Sequence, residues 1–171
     1  MKIRIPCLSV VIVIIAATVM SCSSSNHIPD DKKLEKSIIK NMVDSFKFVF
    51  IPQYVSPTSG GRRSLNSGYQ LSVSKDRVIS SLPFFGRGYV APVSPADVDF
   101  DFTSTRFTHT IKLINTGWNI SIKPLDQKYI LQLYCRIFDN GSASLNITSI
   151  DRSTISYDGY IIERKDQIKN P

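Results

Sequence analysis

Cysteine is scarce in this chain, and its placement rules out more than its number does. Of 171 residues only Cys7, Cys22 and Cys135 are cysteines, and the first two lie in the opening segment. The rest of the chain therefore has no pair for an internal disulfide. With only His27 and His109 beside it, there is no Cys/His cluster of zinc-ligand spacing, so no metal is expected. No apolar run is long enough to cross a bilayer. The longest, Leu8–Met20, has about 13 residues where a spanning helix needs about 20. Cationic residues outnumber acidic ones by seven, but they are scattered apart from Lys32-Lys33 and Arg62-Arg63. There is no basic stripe with interleaved aromatics, which argues against nucleic acid as a partner. Gly86-x-Gly88 has no following Lys-Ser/Thr, so no phosphate loop and no cofactor is indicated. Strand and helix patterns do not alternate, which excludes a doubly wound nucleotide fold.

What is present begins with an address. Lys2 and Arg4 precede the apolar run, as in a secretory signal over residues 1–21. Val19-Met20-Ser21-Cys22 then resembles the bacterial lipobox, in which a cysteine thiolate accepts a diacylglyceryl group before the leader is cut away. Buried acyl chains hold such a product on a membrane. The expected location is the cell envelope, lipid-anchored through Cys22. Asp30-Asp31 follow too late to match a surface-export signal, so the periplasmic side of the outer membrane is favoured over surface exposure. Residues 22–30 form a polar, Ser-rich tether. Losing Lys2 and Arg4 leaves the mature part with five of the seven net positive charges, suited to a surface bearing anionic lipid.

Residues 31–45 carry Leu34, Ile38, Ile39, Met42 and Val43 at helical spacing, with an aspartate positioned to cap. This amphipathic helix is expected to pack on the domain or plug one end of it, with a membrane-surface helix as the alternative. From Phe46 the apolar period becomes two. Phe46, Phe48 and Phe50 begin it, and Tyr69, Leu71 and Val73 continue it. Then come Val98, Phe100 and Phe102, Phe107 to Leu113, Trp118 to Ile122, Tyr129 to Ile137, Ala143 to Ile147, and finally Ile155, Tyr157 and Ile161. Turn residues separate these runs, Asp139-Asn140-Gly141 being the strongest hairpin signal. The pattern predicts a mainly β domain over residues 46–162, followed by a tail at 163–171. It is an antiparallel up-and-down meander of about eight or nine strands. One apolar face per strand requires the sheet to curl into a closed or partly closed barrel, which removes its edges, or to pack as a sandwich. Ser56–Ser67 and Pro83–Ala96 read as irregular loops.

Several segments carry a resemblance across nearly all of this domain, in order. They are Ser67-Gly68-Tyr69 with Lys75-Asp76, Leu82-Pro83-Phe84-Phe85-Gly86-Arg87-Gly88-Tyr89 with Ala91-Pro92, and Asp101-Phe102-Thr103-Ser104-Thr105. Gly117–Pro124, Phe138–Leu145 and Ile155–Ile161 complete the set. Together they resemble the Bacteroidetes family known as domain of unknown function 4251. The resemblance implies a lipoprotein-type leader, a lipocalin-like β meander and no known activity. Phe84 stands where tyrosine is frequent, and Tyr157 where phenylalanine is common.

Candidate sites follow from the same reading. Phe84, Phe85, Arg87 and Tyr89 sit in a Gly-rich loop suited to the mouth of a ligand cavity. His109, Trp118, Tyr129 and Tyr157 fall on inward-facing positions and are expected inside the barrel. Cys135 reads as a small core residue, since a nucleophile needs a base and only His109 is available. Asp97, Asp99 and Asp101 share one strand face, expected to be solvated rather than metal-binding. No pair of groups suits acid–base catalysis, so the domain is expected not to be an enzyme. The expected role is binding a small apolar or amphipathic ligand inside the barrel. The alternative is an envelope interaction module that contacts a protein or glycan through its outer surface.

Overall fold

Alternation of apolar and polar residues is what builds the sheet, and the computed structural model shows where it holds and where it breaks. The structure describes residues 30–89 and 99–164. The leader, Cys22, His27, Asp97 and Val98 lie outside them. Helix α1 (Asp30–Asp44) leads into β1 (Phe48–Pro57), the two-residue β2 (Arg63–Ser64), β3 (Gln70–Val73), β4 (Val78–Leu82) and β5 (Phe100–Ser104). Then follow β6 (Phe107–Ile114), β7 (Gly117–Pro124), β8 (Ile130–Phe138), β9 (Ser142–Ser149) and β10 (Ile155–Glu163).

The sheet order among the described residues is β5-β4-β3-β1-β10-β9-β8-β7-β6, with β2 beside β1. Every pairing is antiparallel. The meander closes on itself where β1 pairs β10, Phe50 facing Ile161 and Val55 facing Tyr157. The sheet is thus nearly closed into a barrel, and among the described residues its ends fall in mid-chain, at β5 and β6. These strands follow one another, yet no ladder joins them among the described residues. A carboxylate from the β7–β8 loop bridges the corner instead. Asp126 accepts the Ser104 hydroxyl and the backbone N–H groups of Thr105 (2.8 Å) and Arg106 (3.1 Å). The Gln127 amide donates to the Thr103 carbonyl at 2.8 Å.

Inward residues fill the barrel. Phe48, Phe50, Leu71, Val73, Ile120, Ile122, Leu133, Cys135, Ile137, Leu145, Ile147 and Tyr157 are fully buried and belong to one continuous apolar cluster. Burying each large apolar side chain contributes roughly 1.5–3 kcal/mol. Tight turns need left-handed backbone at Gly117 (φ 144°) and Gly141 (φ 78°). A Cβ on Gly117 would strike the Ile137 carbonyl of β8.

Only half of α1 is covered. Ile39, Met42 and Val43 are buried against the sheet, whereas Leu34 and Ile38 stay exposed. Lys36 pairs with Asp139 of the β8–β9 turn at 2.8 Å. The helix then stops abruptly. Phe46, expected as the first residue of a strand, has φ 54° and caps the helix instead. The Lys47 N–H reaches the Met42 carbonyl and the Phe46 N–H the Val43 carbonyl, both at 3.0 Å, the paired bonds of a Schellman cap. Glycine usually holds that place. Here the buried ring offsets the strain by stacking on His109 (4.0 Å, 17°) and meeting Phe48 edge-on (6.3 Å).

Two interior assignments need correction. Tyr129 and Leu131 are exposed, because a bulge between Ile130 and Gln132 adds one residue to β8 and hands the inward position to Ile130. His109 and Leu113 do lie on the inward side of β6, opposite Ile122 and Trp118. Among the described residues no strand pairs beyond β6, and there Leu113 is 76% accessible and His109 is exposed, its ring covered on one face by Phe46.

Candidate functional site

The loops that join the strands at one end of the barrel are tied to one another by backbone bonds. Gly88 bridges Arg152, the Tyr89 N–H donates to the Asp151 carbonyl (2.7 Å), and the Ser153 N–H to the Arg87 carbonyl (2.9 Å). The Thr58 hydroxyl donates to the Thr154 carbonyl (2.6 Å), which brings the β1–β2 loop into the same group. Asp99 accepts the Phe84 N–H at 3.0 Å and closes the near side of the β4–β5 loop.

Within this group the four expected mouth residues separate. Phe84 turns its ring in, meets Phe100 edge-on (5.4 Å, 81°) and packs partly buried against the core. Gly86 lets the Phe84 ring and the Ser153 hydroxyl come close, since a Cβ there would make both side chains shift. Phe85, Arg87 and Tyr89 face outward, Phe85 at 41% and Tyr89 at 68% exposure. Arg152 lies 5.1 Å from both the Phe84 and Phe100 rings and holds the Asp151 carboxylate at 2.8 Å. Burial acts to raise the Asp151 pKa, but the hydrogen bond and charge of Arg152, with the Ser149 hydroxyl, leave it lowered. Beside Phe84 in the chain, Pro83 offers its carbonyl to the buried Tyr157 hydroxyl, which donates at 2.7 Å. Burial, then the charge of Asp99, pushes that phenol well above its usual range, so it acts here as a fixed donor. Trp118 is buried in the wall of the barrel.

Neither single-residue candidate for chemistry is paired. Burial pushes the Cys135 thiol up to about 12, which keeps it from being a thiolate. His109 lies two strands away from it, on β6 against β8, and two residues along the register, or roughly 12 Å at the usual strand spacing and rise. Asp101 is exposed on β5 and Asp99 is engaged with Phe84. Among the described residues no three His, Cys, Asp or Glu side chains gather as metal ligands, and no helix is long and apolar enough to cross a membrane.

A second feature lies on the outer wall, and sequence reasoning did not find it. β3 pairs β1 only as far as Phe50, and β2 takes over at Tyr54. Pro52 falls between them, at a break in the β1–β10 register. The interruption leaves a groove of about 330 Å³ lined by Ile51–Tyr54, Ser64–Ser67 and Tyr160. Arg62 stacks over Tyr54 at 3.9 Å and pairs with Asp158 at 3.3 Å. Its neighbour Arg63 lies 5.5 Å over Phe85. The two arginines thus connect the groove to the loop group. Arg62-Arg63 stands out in the sequence as a doublet, but nothing there shows which rings it covers.

The fold defines a nearly closed antiparallel barrel with a side-chain-filled interior and its aromatic–arginine chemistry on the outside. The chain belongs to the DUF4251 family, a domain of unknown function, whose model matches residues 30–161. No curated protein matches the chain. The crystal structure of a DUF4251 family protein from Bacteroides eggerthii DSM 20697 is similar, with a TM-score of 0.54 over 76% of this chain and 88% of that one. At 14% identity this likeness concerns the fold alone.

Proposed function

We propose that this protein is a lipid-anchored, non-enzymatic module of the cell envelope that recognises an envelope partner through its outer surface. The observation that carries this reading is the filled interior. The positions that would line a ligand cavity are occupied by Phe48, Phe50, Leu71, Ile120, Leu145 and Tyr157, all fully buried in one cluster. Phe84, expected at the mouth, packs on Phe100 and the core instead. This supports the outer-surface reading over a small apolar ligand held inside. Tyrosine, phenylalanine and arginine are the residues that dominate recognition surfaces, and here Tyr54, Arg62, Arg63 and Phe85 are stacked in pairs on the outside. The anchoring part rests on the leader and on Val19-Met20-Ser21-Cys22. On this reading the domain sits at the outer membrane, facing the periplasm.

The anchor is tested by expressing the full chain in a bacterium that processes lipoproteins. The mature amino terminus is expected to be an acylated Cys22 by mass spectrometry, with the protein in the membrane fraction. Cys22→Ala is expected to abolish acylation and release the protein from that fraction. An unacylated wild type, or a Cys22→Ala variant retained equally by the membrane, contradicts the anchor.

A further inference from the structure

We infer that the groove between β1, β2 and β10 is a binding site for a neutral saccharide chain. The inference rests on the outer-surface reading above and names the ligand class for it.

The site is built by a defect in the sheet. Pro52 has no N–H to give to a ladder, and the register shift beside it turns Tyr54 out to face Asp158 across the strands. Gly159 allows the close approach, since a Cβ there would strike the Ile51 carbonyl. β1 is left without a full neighbour between Phe50 and Tyr54, and the segment after β2 covers only part of the gap, the Leu65 N–H reaching the Gln53 carbonyl at 2.8 Å. The result is a groove open to solvent, with tyrosines on its rim.

The lining selects the ligand. Tyr54 and Tyr160 present half-exposed rings, which suit the C–H faces of pyranose rings while their hydroxyls stay wet. Gln53, Asn66, Ser64 and Ser67 offer amides and hydroxyls, groups that donate and accept together and so match a ligand made of hydroxyls. The charges are matched: Arg62 and Asp158 hold each other, which leaves little pull on an anion. The stacked guanidinium also fixes the Tyr54 ring, so less freedom is lost when a ligand arrives. A lipid tail would need a deeper and drier cavity than this open one.

The test uses the full-length protein in detergent, titrated with neutral hexasaccharides of glucose in one arm and of N-acetylglucosamine in the other. Binding is read by calorimetry and by chemical shifts. Saturable binding is expected in one arm. The Tyr54→Ala/Tyr160→Ala pair is expected to weaken it at least about tenfold, with the melting temperature checked for each variant. Should the loss of Tyr54 unfold the strand, Asn66→Ala in the loop provides the second variant, expected to weaken binding several-fold. Absence of saturable binding in both arms overturns the inference, and so does binding that the variants leave unchanged. Capture of an envelope protein on the groove that neither saccharide displaces also overturns it, while leaving the outer-surface reading intact. A ligand located inside the barrel overturns that reading instead.

Discussion

At the scale of single residues, Asp126 does more for the fold than its place in a turn suggests. It holds the corner where the ends of the sheet meet, accepting from Ser104, Thr105 and Arg106. The Ser104 hydroxyl, more than the two backbone N–H groups, lowers its pKa well below the ordinary 3.8. A carboxylate whose pKa is lowered by folding contributes fully above its unfolded value, and that contribution fades as the pH falls through the folded one. Asp126→Ala is therefore expected to lower the urea midpoint at neutral pH. The gap to wild type should narrow steadily below about pH 4. A gap that is constant from neutral to acid contradicts the assignment. The sequence shows Leu125-Asp126-Gln127 as a turn, but which carboxylate reaches across a seam depends on strand stagger, which is not a local property. His109 shows the same limit. Its parity on β6 is legible, whereas its exposure goes with β6 having no partner on its far side among the described residues.

At the scale of elements, periodicity carries a long way and fails where one residue is inserted or one dihedral turns. The alternation across β7, β9 and β10 is read correctly because each strand keeps one face throughout. In β8 the bulge reverses the face for Tyr129 and Leu131, and no residue type there announces it. Phe46 continues a Phe-x-Phe-x-Phe alternation, so period alone assigns it to a strand, yet its φ is that of a helix cap. This cap gives a sharp prediction. Phe46→Ala loses the stacked ring and keeps the left-handed strain, and is expected to cost about 3–5 kcal/mol. Phe46→Gly loses the same ring but relieves the strain, and is expected to be about 1 kcal/mol more stable than the alanine variant. Denaturant unfolding of both variants decides it. An alanine variant at least as stable as the glycine one contradicts the cap.

At the scale of the whole molecule, a barrel-like fold was legible because one apolar face per strand leaves an antiparallel sheet little choice but to curl. Whether its interior would be hollow was not legible, because that depends on how side-chain volumes meet across the centre rather than on pattern. The groove was less legible still, since it arises from the absence of pairing over a few residues of β1. The central claim is that this barrel is full and works from its outside. Methyl-labelled NMR of the purified protein, with a medium-chain fatty acid titrated in, tests that most directly. The account predicts no shift and no intermolecular contact at the interior methyls of Leu71, Ile120, Leu133 and Leu145. Saturable shifts at those methyls, with contacts to the acyl chain, would contradict it.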